Sequence, residues 1–94
     1  MTLERDVERK LVKELRSRGI KHIKLSAISQ RGLPDRLIFL PGAKAVFIEL
    51  KAPGKEKNLS ENQKTHILAL QYLGFPVLVS SSVAECLEFI NEHS

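Results

Sequence analysis

The 94-residue sequence predicts an α/β domain with a mixed central sheet flanked by helices, in the order α-β-β-β-α-β-α. Three observations carry this. Apolar residues recur at helical spacing near the N-terminus, two apolar runs in the middle are separated by a Pro-Gly turn, and two capping signatures each open a later helix.

Taken in order, Leu3, Val7, Leu11 and Leu15, with Val12 beside them, make residues 3–18 an amphipathic helix. Thr2 is placed to cap it and Gly19 to end it. "IKHIKL" (20–25) reads as a short first strand, and "SAISQRGLP" (26–34) as a loop punctuated by Gly and Pro. "DRLIFL" (35–40) and "AVFIEL" (45–50) are apolar on both faces, as central strands covered on two sides are, with "PGAK" turning between them. In the polar loop 51–60, Pro53 and Gly54 stop the strand. Ser60-x-x-Gln63 has capping-box spacing, and Ile67, Leu68, Leu70, Gln71 and Leu73 continue a helix to Gly74. "FPVLVS" (75–80) is the fourth strand. Ser82-x-x-Glu85 opens the last helix, with Val83, Cys86, Leu87 and Ile90 inward.

The length suits one domain, residues 1–94, with a single core. No apolar run approaches a membrane span, and the N-terminus has no signal-peptide h-region, so an intracellular, cytoplasmic protein with no membrane partner is expected. Cys86 is the sole cysteine, which excludes an intramolecular disulfide and a cysteine metal site; it is expected to fill core space. His22, His66 and His93 lack ligand spacing and are expected at the surface or rim. All fifteen Lys and Arg fall between Arg5 and Lys64, giving residues 1–64 a net +7 and residues 65–94 a net −3. A basic front of this kind suits a polyanion, although a solvated mixed-charge helix accounts for the same residues.

The central hairpin poses the chemical question. Asp35 stands at its entrance, and Glu49 and Lys51 at its exit, on one strand face with Phe47. With residues 41–44 as the turn, Asp35 faces Leu50; with a turn one residue shorter, it faces Glu49. Pro34 lacks an N–H and marks a strand start or edge. Two carboxylates so close resist joint ionisation unless a cation sits between them, and an oxygen-rich pair suits Mg²⁺ or Mn²⁺. A lysine on the same face can orient water or offset charge on a phosphoryl transition state. Singly, Asp35 is a turn residue after proline, and Glu49 with Lys51 an edge ion pair. In this order and spacing they read as a phosphodiester-cleaving site.

"GLPDR" followed by "IELK" resembles the PD-(D/E)xK nuclease superfamily, and more narrowly its virus-type replication–repair nuclease (VRR-NUC) group, which includes small stand-alone phage domains. The resemblance covers nearly the whole chain, taking in Glu8, Gly32-x-Pro34-Asp35, Glu49-x-Lys51, Gln63 and "GFPVLVSSSVAECLEFI". It implies a restriction-endonuclease-like core in which Asp35, Glu49 and the backbone carbonyl of Leu50 ligate Mg²⁺ or Mn²⁺. Lys51 would position the attacking water, Glu8 would support the metal directly or through water, and Gln63 would help position water or phosphate. The implied activity is metal-dependent DNA endonuclease, with no small-molecule cofactor, in the cytoplasm of a bacterial or phage-infected cell.

Gln63 is equally explained as a helix cap. Arg31, Arg36, Lys55 and Lys57 are candidate DNA phosphate contacts, or ordinary solvated loop residues. So small a domain has little surface to hold a duplex, so a C2 homodimer is expected, whose two-fold sites suit a four-way junction; the resemblance to small phage members implies branched DNA. Two other classes are weighed: a catalytically silent nucleic-acid-binding module with the same fold, and a small assembly protein with no nucleic-acid role.

Overall fold

The computed structural model describes residues 2–27 and 30–94, and its elements follow the expected order. They are α1 (Glu4–Ser17), β1 (His22–Lys24), a 3-10 turn (Leu25–Ala27), β2 (Arg36–Leu40), β3 (Lys44–Leu50), α2 (Glu61–Tyr72), β4 (Val77–Ser80) and α3 (Val83–His93). Within the loop expected over 26–34, Ile28 and Ser29 lie outside the described residues. Among the described residues no helix is long and apolar enough to cross a membrane.

Local signals place most helix ends. Gly19, at φ 67°, follows α1, and the N–H groups of Gly19 and Ile20 return to the carbonyls of Arg16 and Leu15, which closes the helix. The start of α1 differs from expectation: Leu3, not Thr2, is the N-cap residue, and the Asp6 carboxylate accepts its N–H at 2.9 Å. Asp6 can do this because it stands three residues into the helix, where a carboxylate reaches back to the cap. Ser60 caps α2 with the full reciprocal box to Gln63, whereas Ser82 caps α3 by accepting from Glu85 N–H.

The sheet runs β1-β2-β3-β4, antiparallel except for the parallel β3–β4 pair that α2 connects. One sheet face presents Ile38, Leu40, Val46, Ile48 and Leu50 to Val7, Leu11 and Leu15 of α1 and to Cys86 and Ile90 of α3. That is the core, and burial raises the Cys86 thiol to about 11, which leaves it protonated and inert. On the opposite face, Phe47 meets Phe75 edge-on with centroids 5.6 Å apart. β3 is covered on both sides from Val46 to Leu50, as expected, but β2 is not. α2 lies beside β4 and leaves Phe39 of β2 40% exposed. α2 itself buries no residue completely, and Leu68, Tyr72 and Leu73 face solvent.

The β2–β3 hairpin takes the shorter turn. Leu40 pairs with Lys44 across Pro41–Ala43, where Gly42 and Ala43 adopt φ of 80° and 60°. Two left-handed residues in succession turn the chain in three residues, and this sets the register of everything downstream.

Candidate active site

In the observed register Arg36 pairs with Ile48, so extending the ladder by two residues sets Pro34 opposite Leu50. Residues 36, 38 and 40 of β2 bond toward β3, because the odd residues turn their bonds to β1, as the Asp35 carbonyl accepting from Leu25 N–H at 2.8 Å shows. Pro34 has no N–H to offer the Leu50 carbonyl. The Leu50 N–H in turn donates to Asp35 Oδ2 at 2.7 Å. Proline therefore interrupts the ladder at the point where the carboxylate takes over one of its bonds.

Glu49 is 4% exposed, with Oε2 accepting from Gln63 Nε2 at 2.9 Å and standing 3.5 Å from Lys51 Nζ. Lys51 Nζ also donates to Gln63 Oε1 at 3.3 Å, and the same oxygen accepts the Ser60 N–H at 2.9 Å. Gln63 thus serves the helix cap and the carboxylate–lysine pair together. α2 is held against this site from the other side as well. Gly32 has φ 86°, and a Cβ there would lie 2.6 Å from the Asn62 backbone carbon, so the glycine lets the Gly-Leu-Pro-Asp loop touch the first turn of α2.

Burial and then the neighbouring Asp35 raise the Glu49 carboxyl to about 7, against the pull of Lys51. Asp35 is also raised, chiefly by burial, with its bond from Leu50 N–H opposing. Each carboxylate uses one oxygen for its protein partner; Asp35 Oδ1 and Glu49 Oε1 have no hydrogen bond among the described residues. A pair of hard oxygen donors with raised proton affinity fits a divalent cation of the Mg²⁺ or Mn²⁺ kind. Among the described residues no third His, Cys, Asp or Glu completes a cluster, so the protein ligands would be the two carboxylates and a backbone carbonyl. Mg²⁺ sites commonly fill the remainder with water and phosphate oxygen.

Glu8 adds to the rise at Asp35 by its charge, but its own contacts lie elsewhere. Its Oε2 is 3.3 Å from Arg36 Nη2 and its Oε1 3.4 Å from Lys24 Nζ. Arg36 is 9% exposed, and its Nη1 donates to His22 Nδ1 at 3.3 Å. His22 is half-buried, in keeping with the surface or rim position expected of it, and desolvation followed by the Arg36 charge holds its pKa down.

Sequence reasoning overlooked Glu4. Desolvation and then Asp35 raise its carboxyl, while Lys51 lowers it, which places the first turn of α1 in the field of the site. The signal was present: Glu4 is three residues before Val7 and seven before Leu11, in phase with the buried stripe. Arg31, Lys55 and Lys57 remain exposed, with no ion pair among the described residues. The 51–60 loop is tied to the end of β4 by the Ser81 hydroxyl, which donates to Glu56 Oε2.

No family model matches the chain. Over 91 residues, 94% of this chain and 95% of the relative, it is 35% identical to "Putative nuclease p44" of Acyrthosiphon pisum secondary endosymbiont phage 1.

Proposed function

Because the chain belongs to the same nuclease family as that phage protein, we infer that it is a metal-dependent DNA endonuclease of the VRR-NUC type, acting inside a bacterial or phage-infected cell. Its substrate is branched DNA such as a four-way junction, in replication, recombination or repair. The observation that carries this reading is half-buried Asp35 beside buried Glu49, each with one oxygen free of hydrogen bonds among the described residues, with the Lys51 ammonium 3.5 Å from Glu49.

Asp35, Glu49 and the Leu50 carbonyl would hold Mg²⁺ or Mn²⁺, which would supply Lewis-acid polarisation of the scissile phosphate and of water. Lys51, fixed between Glu49 and Gln63, is placed to orient the attacking water and to offset charge gathering on the phosphate oxygens. Gln63 donates to Glu49 and accepts from Lys51, so it holds both side chains in one geometry. Glu8, paired with Arg36 and Lys24, would support the metal through water.

The reading includes a C2 homodimer. Leu68 and Tyr72 of α2 and Leu73, its C-cap, are 66%, 90% and 67% exposed, and monomeric soluble domains rarely leave contiguous large apolar residues uncovered. A second copy packed on this face would hold two sites in two-fold relation. Light scattering at micromolar concentration is expected to give a dimer, and Leu68→Glu with Tyr72→Glu a folded monomer. A wild-type monomer removes the dimer from the reading.

The central test is cleavage of an end-labelled four-way junction beside matched duplex and single strand, with Mg²⁺, Mn²⁺ or EDTA. Wild type is expected to leave paired, symmetric nicks in the junction alone. Activity should be lost in EDTA and fall roughly 100-fold or more in Lys51→Ala. Cutting of every substrate would retain the chemistry and discard junction selectivity. Tight binding by both proteins without cutting would identify a silent binding module instead.

A further inference from the structure

α1 carries a second feature that the cleavage chemistry does not use. A surface groove of about 490 Å³ runs along it, lined by Arg5, Arg9, Lys13 and Arg16, with Val12 among them and with Glu8 and Arg36 at its floor. These four bases lie on the face of α1 turned away from Val7, Leu11 and Leu15. Among the described residues Arg5, Lys13 and Arg16 make no ion pair, while Arg9 is shared with Asp6 at 3.2 Å. Glu8, the acid in the groove, is already engaged by Arg36 and Lys24, so the lining is strongly cationic.

We propose that this α1 groove is the track for the sugar-phosphate backbone of one DNA strand leaving the cleavage site, with Arg5, Arg9, Lys13 and Arg16 as its phosphate contacts. The inference rests on the nuclease reading above and adds the path of the substrate. Three further points support it. Arg5, Arg9 and Lys13 follow one another at four-residue intervals, a step of about 6 Å along the helix axis, commensurate with consecutive phosphates in one strand. Arg5 to Arg16 spans about 16 Å of helix, room for roughly three or four phosphates at that spacing. The groove also approaches the site along the chain, because Arg36 in its lining directly follows Asp35.

An exposed basic face could instead serve only to keep the protein soluble, and net charge alone would then govern DNA affinity. The test separates the two. Binding of a labelled four-way junction in EDTA is measured by fluorescence anisotropy across a salt series, using the full chain. The groove variant is Arg9→Gln/Lys13→Gln/Arg16→Gln; the control, Arg18→Gln/Lys21→Gln/Lys44→Gln, removes the same charge outside the groove lining. Glutamine is a good helix former, so α1 should be retained, and circular dichroism checks this.

The groove variant is expected to bind about 10- to 100-fold more weakly near 0.1 M salt, with the slope of log K against log salt shallower by about 2 to 3. The control should change far less. Cleavage by the control should match wild type, because Arg18, Lys21 and Lys44 lie outside the groove lining. Equal losses in both variants, or wild-type binding by the groove variant, overturn the track. If wild type neither binds nor cuts DNA with any metal, the nuclease reading fails, and the track fails with it.

Discussion

Glu49→Gln is expected to abolish cleavage at every pH and to flatten the pH dependence of stability in the metal-free protein. The first effect follows from removing one of two carboxylates that would hold the cation. Groups behind a metal ligand alone are worth about 10- to 100-fold, so a ligand itself should cost more than about 100-fold. The second follows from linkage. Glu49 titrates near 7 in the folded chain against an ordinary value of 4.5, raised first by burial and then by Asp35. Between those values the folded state keeps a proton that the unfolded state has released, so stability falls as pH rises through the window and levels off above about 7.

The size of that fall is on the order of 1 to 3 kcal/mol. Thermal unfolding in EDTA from pH 4.5 to 8 should show a steeper fall in wild type than in Glu49→Gln, where only the raised Asp35 of the pair remains. Adding Mg²⁺ or Mn²⁺ should raise the wild-type midpoint most at the alkaline end, where the carboxylate pair is ionised, and leave the variant unmoved. Identical pH profiles for the two proteins would show that Glu49 is not held in the raised state. A metal response unchanged by the substitution would remove it from the ligand set.

Gly32→Ala should be the most damaging single-methyl change in the molecule. The new Cβ would meet the Asn62 backbone 2.6 Å away, at a residue whose φ of 86° disfavours any side chain. Because backbone rather than a flexible side chain is in the way, α2 must shift, and Gln63 sits one residue beyond the clash. Stability is expected to fall by roughly 2 to 4 kcal/mol, the range of strain combined with overpacking. Cleavage should fall further than unfolding explains, since Gln63 would no longer hold Glu49 and Lys51. Gly54→Ala is the control. Gly54 has the same φ of 86°, but a Cβ there meets nothing within 4 Å, so only the backbone penalty remains. Equal effects at the two glycines would mean that conformation, and not contact with α2, is what Gly32 supplies.

Features written within a few residues were legible from the sequence alone. The end of α1 at Gly19, the Ser60 and Ser82 caps, the hairpin and the element order all follow from short-range hydrogen bonding and backbone preference. Asp35, Glu49 and Lys51 could be selected together for the same reason: a turn brings adjacent strands into contact whatever the rest of the chain does. Tertiary structure decided the remainder. The shorter Pro41–Ala43 turn chose the register that sets Pro34 opposite Leu50, and either register satisfied the apolar pattern of the two strands. Glu8 was visible as a helix glutamate, but its engagement by Arg36 and Lys24 depends on how α1 lies across the sheet. Glu4 is near the site because α1 begins beside it, and α2 keeps an exposed apolar face because it packs on β4 at the sheet's edge. Local bonds are specified by neighbours in the chain; partners distant in sequence are specified only once the layers have packed, and the Asp35–Glu49–Lys51 cluster and the basic groove along α1 both depend on that packing.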